Sequence, residues 1–371
     1  MDASLLNRRD FVKMAAAAGV AAIMAPEVLL AKVGELETAK PDQGSPIRVD
    51  SEWGRLREVI VGIVPDNAIV PPPVSSHFKD NSPQTITCFQ QCHEKPAKQA
   101  LPEAFTAARQ QVEALVKIYE KNSIKVHRPR PHTETELHFF RMGGAPLYAR
   151  DSMLVVGQNV IELSLRDPSR RKEIFAYREM LARRLAQAPR VQYASMPPPL
   201  PAPATEDGEG PGPFLEGGDI FLLGKDILVG NSGQASNQAG IGWLRRFLGP
   251  QGYRIQEVPL MDNWLHLDCV LAVIRPGLAM AVKTAFRNGL PGPIQEWEVI
   301  EANPEEGHVL GVNTMCLAPN VVIIGEEHQR LIKELKTREV EVVSGFRTDV
   351  VSLWGGGVRC LSHPLLRDNY I

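Results

Sequence analysis

The eleven residues "WGGGVRCLSHP" (354–364) lead three glycines into Cys360. A thiol in that position could pack in a core, form a disulfide, ligate a metal or act as a nucleophile. Only the last use gives the glycines a chemical purpose, because a backbone without Cβ atoms can approach a ligand closely and adopt positive φ. Three more polar clusters stand at expected strand ends or turns, where a scaffold exposes side chains. They are "YARDS" with Arg150 and Asp151, "FLEGGDI" with Glu216 and Asp219, and "NWLHLDC" with His266 and Asp268. Each alone is an ordinary turn or surface pair, but together they compose one chemical system. A cysteine nucleophile needs a His to hold the thiolate or pass protons, and a carboxylate to orient that His. Cys360, His266 and Glu216 supply those types. Asp151 and Asp268 suit a planar cation with several N–H donors, since a guanidinium pairs with carboxylates in bidentate fashion. The central carbon of such a cation is an electrophile for a thiolate.

The periodicities that must position these residues alternate along the chain. "EVIVGIV" (58–64) reads as a buried strand, and the next segment places Leu101, Phe105, Ala108, Val112, Leu115 and Tyr119 on one helical face. "KVHRP" reads as the returning strand. Paired strands "MLVVG" and "VIELS" are followed by the helix "SRRKEIFAYREMLARRLAQ" and the strand "RVQYASM". "DIFLLG" and "DILVGN" form a hairpin through Gly224-Lys225, with the helix "SNQAGIGWLRRFLG" and the strand "YRIQEVPL" after it. The fourth unit is the hairpin in "CVLAVIRPGLAMAV" with a short helix near "PIQEWEVIE". The fifth is "VNTMCLAPNVVIIG", the helix "EEHQRLIKELKTRE" and the strand "VEVVSG". Repetition of this kind predicts an α/β chain built as a closed, propeller-like ring of ββαβ units rather than a doubly wound sheet. The Pro/Gly-rich stretch 195–213 reads as a surface loop, either inert or at the rim of the site.

Composition narrows the function. A formal net charge of −2 in 371 residues, without a long basic run, argues against nucleic acid as partner. The five cysteines (88, 92, 269, 316, 360) are not a disulfide framework, and their odd number leaves at least one free thiol. "CFQQCH" lacks a second ligand pair for zinc, so packing is the expected use of Cys88 and Cys92, with a local disulfide between them as the alternative. At the N-terminus, Arg8 and Arg9 stand with Phe11 and Lys13 before the apolar run Met14–Ala25. That arrangement reads as a twin-arginine export signal, the run being too short to span a bilayer. The expected organisation is a signal over 1–32, a linker over 33–48 and one catalytic domain over 49–371, with a periplasmic or otherwise exported location.

The ordered set "SEWGRLREVIVG" (from 51), "YARDSMLVVGQNVIE", "NQAGIGWLRRFLGPQGYRIQEV", "WLHLDC" and "GGGVRC" resembles the amidinotransferase family, within the guanidine-modifying pentein superfamily. The resemblance implies a five-bladed α/β propeller, in agreement with the five units above. It implies Cys360 as nucleophile, His266 as acid and base, and Glu216 as the carboxylate orienting His266, where animal-type transferases have Asp. Asp151 and Asp268 would grip the guanidinium, and Asp219 would either assist them or shape its turn. "EGGD" and "RCLS" look more like the hydrolytic relatives, the arginine deiminases and dimethylarginine hydrolases. No counterpart of the arginine-carboxylate-binding Arg stands after Asp268, where Lys283 and Arg287 are only neighbours of the place.

The expected activity is transfer of an amidino group from an arginine-like guanidino donor to an amine through an amidino-Cys360 intermediate. The alternative is a guanidine hydrolase. A third reading, a non-catalytic guanidine-binding protein, is weighed against by the intact Cys360 and His266. The reaction needs neither metal nor organic cofactor. The expected partners are the small-molecule donor, an amine acceptor if the reaction is transfer, and the twin-arginine export machinery. A homo-oligomer is left open, and neither nucleic acid nor stable membrane insertion is expected.

Overall fold

The structure, a computed structural model, describes residues 47–70, 87, 90–139, 145–199 and 210–369. The export-signal residues and Cys88 lie outside the described residues, as do residues 200–209 of the Pro/Gly-rich stretch.

Fifteen short strands among the described residues form five three-stranded sheets, each with the same internal order. In the second blade β3 (Met153–Val156) pairs antiparallel with β4 (Asn159–Glu162), and β4 pairs parallel with β5 (Gln192–Ser195) after the helix Glu173–Ala186. The third blade repeats this with β6 (Ile220–Leu223), β7 (Asp226–Asn231), the helix Gln238–Leu248 and β8 (Arg254–Pro259). The fourth uses β9 (Leu271–Arg275), β10 (Leu278–Ala281) and β11 (Glu298–Glu301), and the fifth β12 (Met315–Ala318), β13 (Val321–Ile323) and β14 (Glu341–Val343). The first blade joins the two ends of the domain. Its central strand β1 (Leu56–Val61) pairs parallel with β2 (Lys125–His127) and antiparallel with β15 (Ser362–Arg367). This closes the expected five-bladed α/β propeller.

Two elements differ from the sequence reading. The first unit lacks a leading strand in local sequence because residues 362–367, at the far end of the chain, supply it. The segment expected to be helical near "PIQEWEVIE" holds one 3-10 turn, Gly292–Ile294, and then β11. Pairing of β11 with β10 satisfies its backbone and buries Ile300, which outweighs the weak helical signal of so short a stretch.

Local chemistry explains the elements. Strands β3, β4, β9, β10 and β12 are buried nearly throughout, so they read as apolar runs without alternation. Pro102 opens the helix Pro102–Lys121, where its missing N–H costs nothing, and Phe105, Ala108, Val112, Leu115 and Tyr119 face inward. The side chain of Asn237 caps the third-blade helix by accepting from Gly240 N. First strands pack around the axis, β15 on β3 and β12 on β9. The segments entering those first strands therefore converge at one end of the ring.

Candidate active site

Each candidate side chain lies on a short approach to a first strand. Asp151 stands just before β3, and Glu216 and Asp219 flank or lie on the 3-10 turn Gly217–Asp219 before β6. His266 caps and Asp268 lies in the turn Leu267–Cys269 before β9, and Cys360 stands two residues before β15. The fifth blade contributes Asn313, just before β12. Five approaches separated by as many as 209 residues thus build one site, as residues 151 and 360 show.

His266 and Glu216 form its first half. Their side chains meet at 2.8 Å through His266 Nε2 and Glu216 Oε2, and both are buried. Glu216 Oε1 accepts from Arg166 N at 2.9 Å, fixing the carboxylate from behind. Burial disfavours charge on His266, but Asp151, the hydrogen bond to Glu216 and Asp219 outweigh it and raise its pKa to about 10. A Cβ on Gly218 would lie 2.6 Å from His266 Nδ1 and 3.0 Å from Asp151 Oδ1, so only glycine fits between the two side chains.

Cys360 and Asp268 form the second half. Cys360 Sγ lies 3.7 Å from Asp268 Oδ2. Burial first, and then the charges of Asp268 and Asp151, push the thiol well above its ordinary value. Asn313 fixes the cysteine on both sides. Its Oδ1 accepts from Arg359 N and Cys360 N at 2.9 and 3.2 Å, while its Nδ2 donates to Asp268 O and Cys360 Sγ, each at 3.1 Å. The glycine run makes room for this: a Cβ on Gly357 would sit 2.7 Å from Asn313 Oδ1. The glycines serve the protein's own side chains at least as much as a ligand.

The remaining carboxylates divide. Asp151 Oδ1 accepts from Gly218 N at 2.9 Å and its Oδ2 from Arg170 Nη2 at 3.0 Å. Asp219 spends both oxygens on backbone, accepting from Leu267 N and Ser236 N at 3.0 and 3.2 Å, which suits the turn-shaping role rather than substrate contact. Asp151, Glu216 and His266 offer ligand atoms within 4.8 Å of one another, a donor set able to hold a metal ion. Arg170 already brings a positive charge there, on Asp151 and 3.8 Å from Glu216.

Three site residues escape sequence reasoning: Asn313, Arg359 and Arg170. Arg359 donates to Asp268 at 3.1 Å and to Glu52 at 3.1 Å, and lies over the Phe221 ring. Its position beside Cys360 is the one local signal. Arg170 also binds Glu173, and the charge-dense "SRRKE" is the only hint of it. The two cations considered after Asp268 lie elsewhere, Lys283 on Glu301 and Arg287 on Leu260 O. Cys92, Cys269, Cys316 and Cys360 are free thiols.

The fold is a five-bladed α/β propeller of the pentein type, and it gathers a cysteine, a His–carboxylate pair and two further aspartates in its buried interior. No family model matches the sequence. Curated relatives nevertheless extend over most of the chain. It is 27% identical to the L-arginine:L-lysine amidinotransferase of Pseudomonas savastanoi pv. phaseolicola, covering 88% of this chain and 95% of the relative. It is 26% identical to the mitochondrial glycine amidinotransferase of Danio rerio, covering 87% and 83%. An amidinotransferase from the saxitoxin biosynthetic pathway of Microseira wollei shares the fold with a TM-score of 0.73 at 24% identity, over 88% of this chain and 98% of that one. The dimethylarginine hydrolase of Pseudomonas aeruginosa superposes with a TM-score of 0.60 at 17% identity, over 84% and 99%. The resemblance to the amidinotransferase family is thereby borne out over most of the chain's length, and the propeller with it.

Proposed function

We propose that the protein transfers an amidino group from a guanidino donor to an amine, with Cys360 as the covalent carrier. The observation that carries the reading is that the Cys360–Asp268 pair and the Asp151–Glu216–His266 cluster lie close enough for Asp151 to act on Cys360 and for His266 and Asp151 to act on Asp268. A guanidinium placed between Asp151 and Asp268 brings the positive charge that the site otherwise disfavours for a thiolate, so donor binding itself promotes ionisation of Cys360. Sγ then bonds to the guanidinium carbon, the C–N bond to the leaving group breaks, and protonated His266 supplies the proton that makes it a free amine. The acceptor amine gives a proton to His266 as it attacks the amidino carbon, and the C–S bond breaks to restore Cys360.

Similarity to amidinotransferases over 87–88% of the chain supports an amine as acceptor. Glu216 in "EGGD" keeps hydrolysis as the second reading, because both routes share the same intermediate and differ in whether water is excluded. Product analysis with arginine as donor, with and without primary amines, separates them. Transfer predicts turnover that depends on amine and gives a new guanidino compound. Ureido product released at full rate without amine would make the enzyme a hydrolase.

The arginine pair Arg8-Arg9 and the apolar run after it support export as a folded protein. Replacing both arginines by lysine keeps the charge but loses the planar fork, and retention of the variant in the cytoplasm is the expected result. Normal periplasmic recovery would remove the export reading.

A further inference from the structure

Between β15, β3 and β6 lies a small cavity of about 10 Å³, lined among others by Glu52, Arg150, His363 and Arg367. That is about the room one water or one monatomic ion requires. Its polar walls are incompletely satisfied. Arg150 Nη2, Arg367 Nε and His363 Nδ1 are buried and have no hydrogen-bond partner, and all three residues are at least nine-tenths buried.

The charge balance is also incomplete. Three guanidinium groups, Arg150, Arg359 and Arg367, meet in this part of the core. Glu52 and Asp268 both pair with Arg359. Among the described residues neither Arg150 nor Arg367 has a carboxylate within ion-pair distance. Arg150 donates to Arg359 O, and Arg367 donates to Gly54 O, Cys316 O and Met315 Sδ. Burial and the neighbouring Arg359 weigh against charge on Arg150, lowering its pKa to about 9. A buried charge without a counter-charge is costly. A water in the cavity would satisfy N–H groups but leave the excess charge.

We infer that the cavity binds one monovalent, monatomic anion of the halide class, held by Arg150 and Arg367 against the wall formed by His363. The ion brings three buried cations and two buried carboxylates to neutrality. It also has a route to the site, because Arg150 N donates to Cys360 O at 3.1 Å and Arg150 adjoins Asp151 in sequence. Holding Arg150 therefore holds the β3 approach against the strand end that carries the nucleophile.

Crystals of the intact enzyme grown in sodium bromide, with data collected at the bromine edge, test the site directly. An anomalous peak between Arg150 and Arg367 is expected. Density without anomalous signal, refining as water, would overturn the inference. In solution, Tm measured in chloride–gluconate mixtures of constant ionic strength should rise with the logarithm of chloride concentration, on the order of 3 °C over a hundredfold range of chloride above its Kd. Arg367→Met should abolish that dependence. A Tm indifferent to chloride in the wild type would count against the site independently of any variant, and neither readout depends on whether the enzyme is a transferase.

Discussion

Asn313 donates through Nδ2 to Cys360 Sγ at 3.1 Å while its Oδ1 accepts from Cys360 N at 3.2 Å, so one buried amide fixes both ends of the proposed nucleophile. A donor aimed at sulfur favours the thiolate over the thiol. It opposes the burial and the negative charges that push the thiol upward. The expected result for Asn313→Ala is a fall in kcat of tenfold or more, on the scale of about 1.5–3 kcal/mol for a hydrogen bond to a charged group. The acid limb of the pH–rate profile should move to higher pH. A profile and kcat like those of the wild type would show that the amide does not act on the sulfur.

Asp268 has opposite effects on the thiol and on the donor. Its charge disfavours a thiolate in the empty site, yet it is half of the proposed grip on the guanidinium. Asp268→Asn should therefore speed alkylation of Cys360 by iodoacetamide at pH 8 while weakening guanidino donor binding by roughly 2 kcal/mol or more. Peptide mapping distinguishes Cys360 from the other free thiols. Slower alkylation with unchanged donor affinity would place the carboxylate outside both roles.

The raised pKa of His266 makes a stability prediction with a definite sign. The folded value of about 10 lies above the ordinary 6.5, because Asp151, Glu216 and Asp219 outweigh burial. The imidazolium thus contributes stability that is fully present below about pH 6.5 and lost as pH rises through about 10. The stability advantage of the wild type over His266→Gln should shrink across that window. Nitrogen-15 NMR of the ring should show both nitrogens protonated at pH 8, and a neutral ring there would contradict the assignment.

Gly218 is the tightest backbone position beside the proposed acid. The Cβ in Gly218→Ala would fall 2.6 Å from His266 Nδ1, so the ring must leave its place against Glu216. Loss of most turnover is expected, with a change in the pH profile. Gly224→Ala provides the control for a glycine at positive φ, since nothing lies within 4 Å of its Cβ position and no site group should move. A Gly218→Ala enzyme with an unaltered pH profile would show that the ring tolerates the methyl group.

Much of the ring was legible in sequence because its signals are local. Buried hairpins are apolar runs bounded by turn residues, as around Gly224-Lys225, and helices such as Pro102–Lys121 show their inner faces by period. Cys360, His266, Glu216, Asp151 and Asp268 could be picked out as candidates for a related reason: the proposed roles of nucleophile, proton carrier and cation grip each demand particular side chains. Tertiary structure decided what depends on distance between segments remote in the chain. Residues 362–367 have no local sign that they complete a blade begun at Leu56. Asn313 looks like any asparagine until closure of the ring sets its amide against Cys360. Asp219 and Asp268 are both plain aspartates in turn sequences, and only the fold spends one on the backbone amides of Ser236 and Leu267 and sets the other beside Cys360 Sγ. Residue chemistry is carried by type and is readable in order, whereas the division of labour among identical types is set by which partners the closed ring brings within hydrogen-bonding distance.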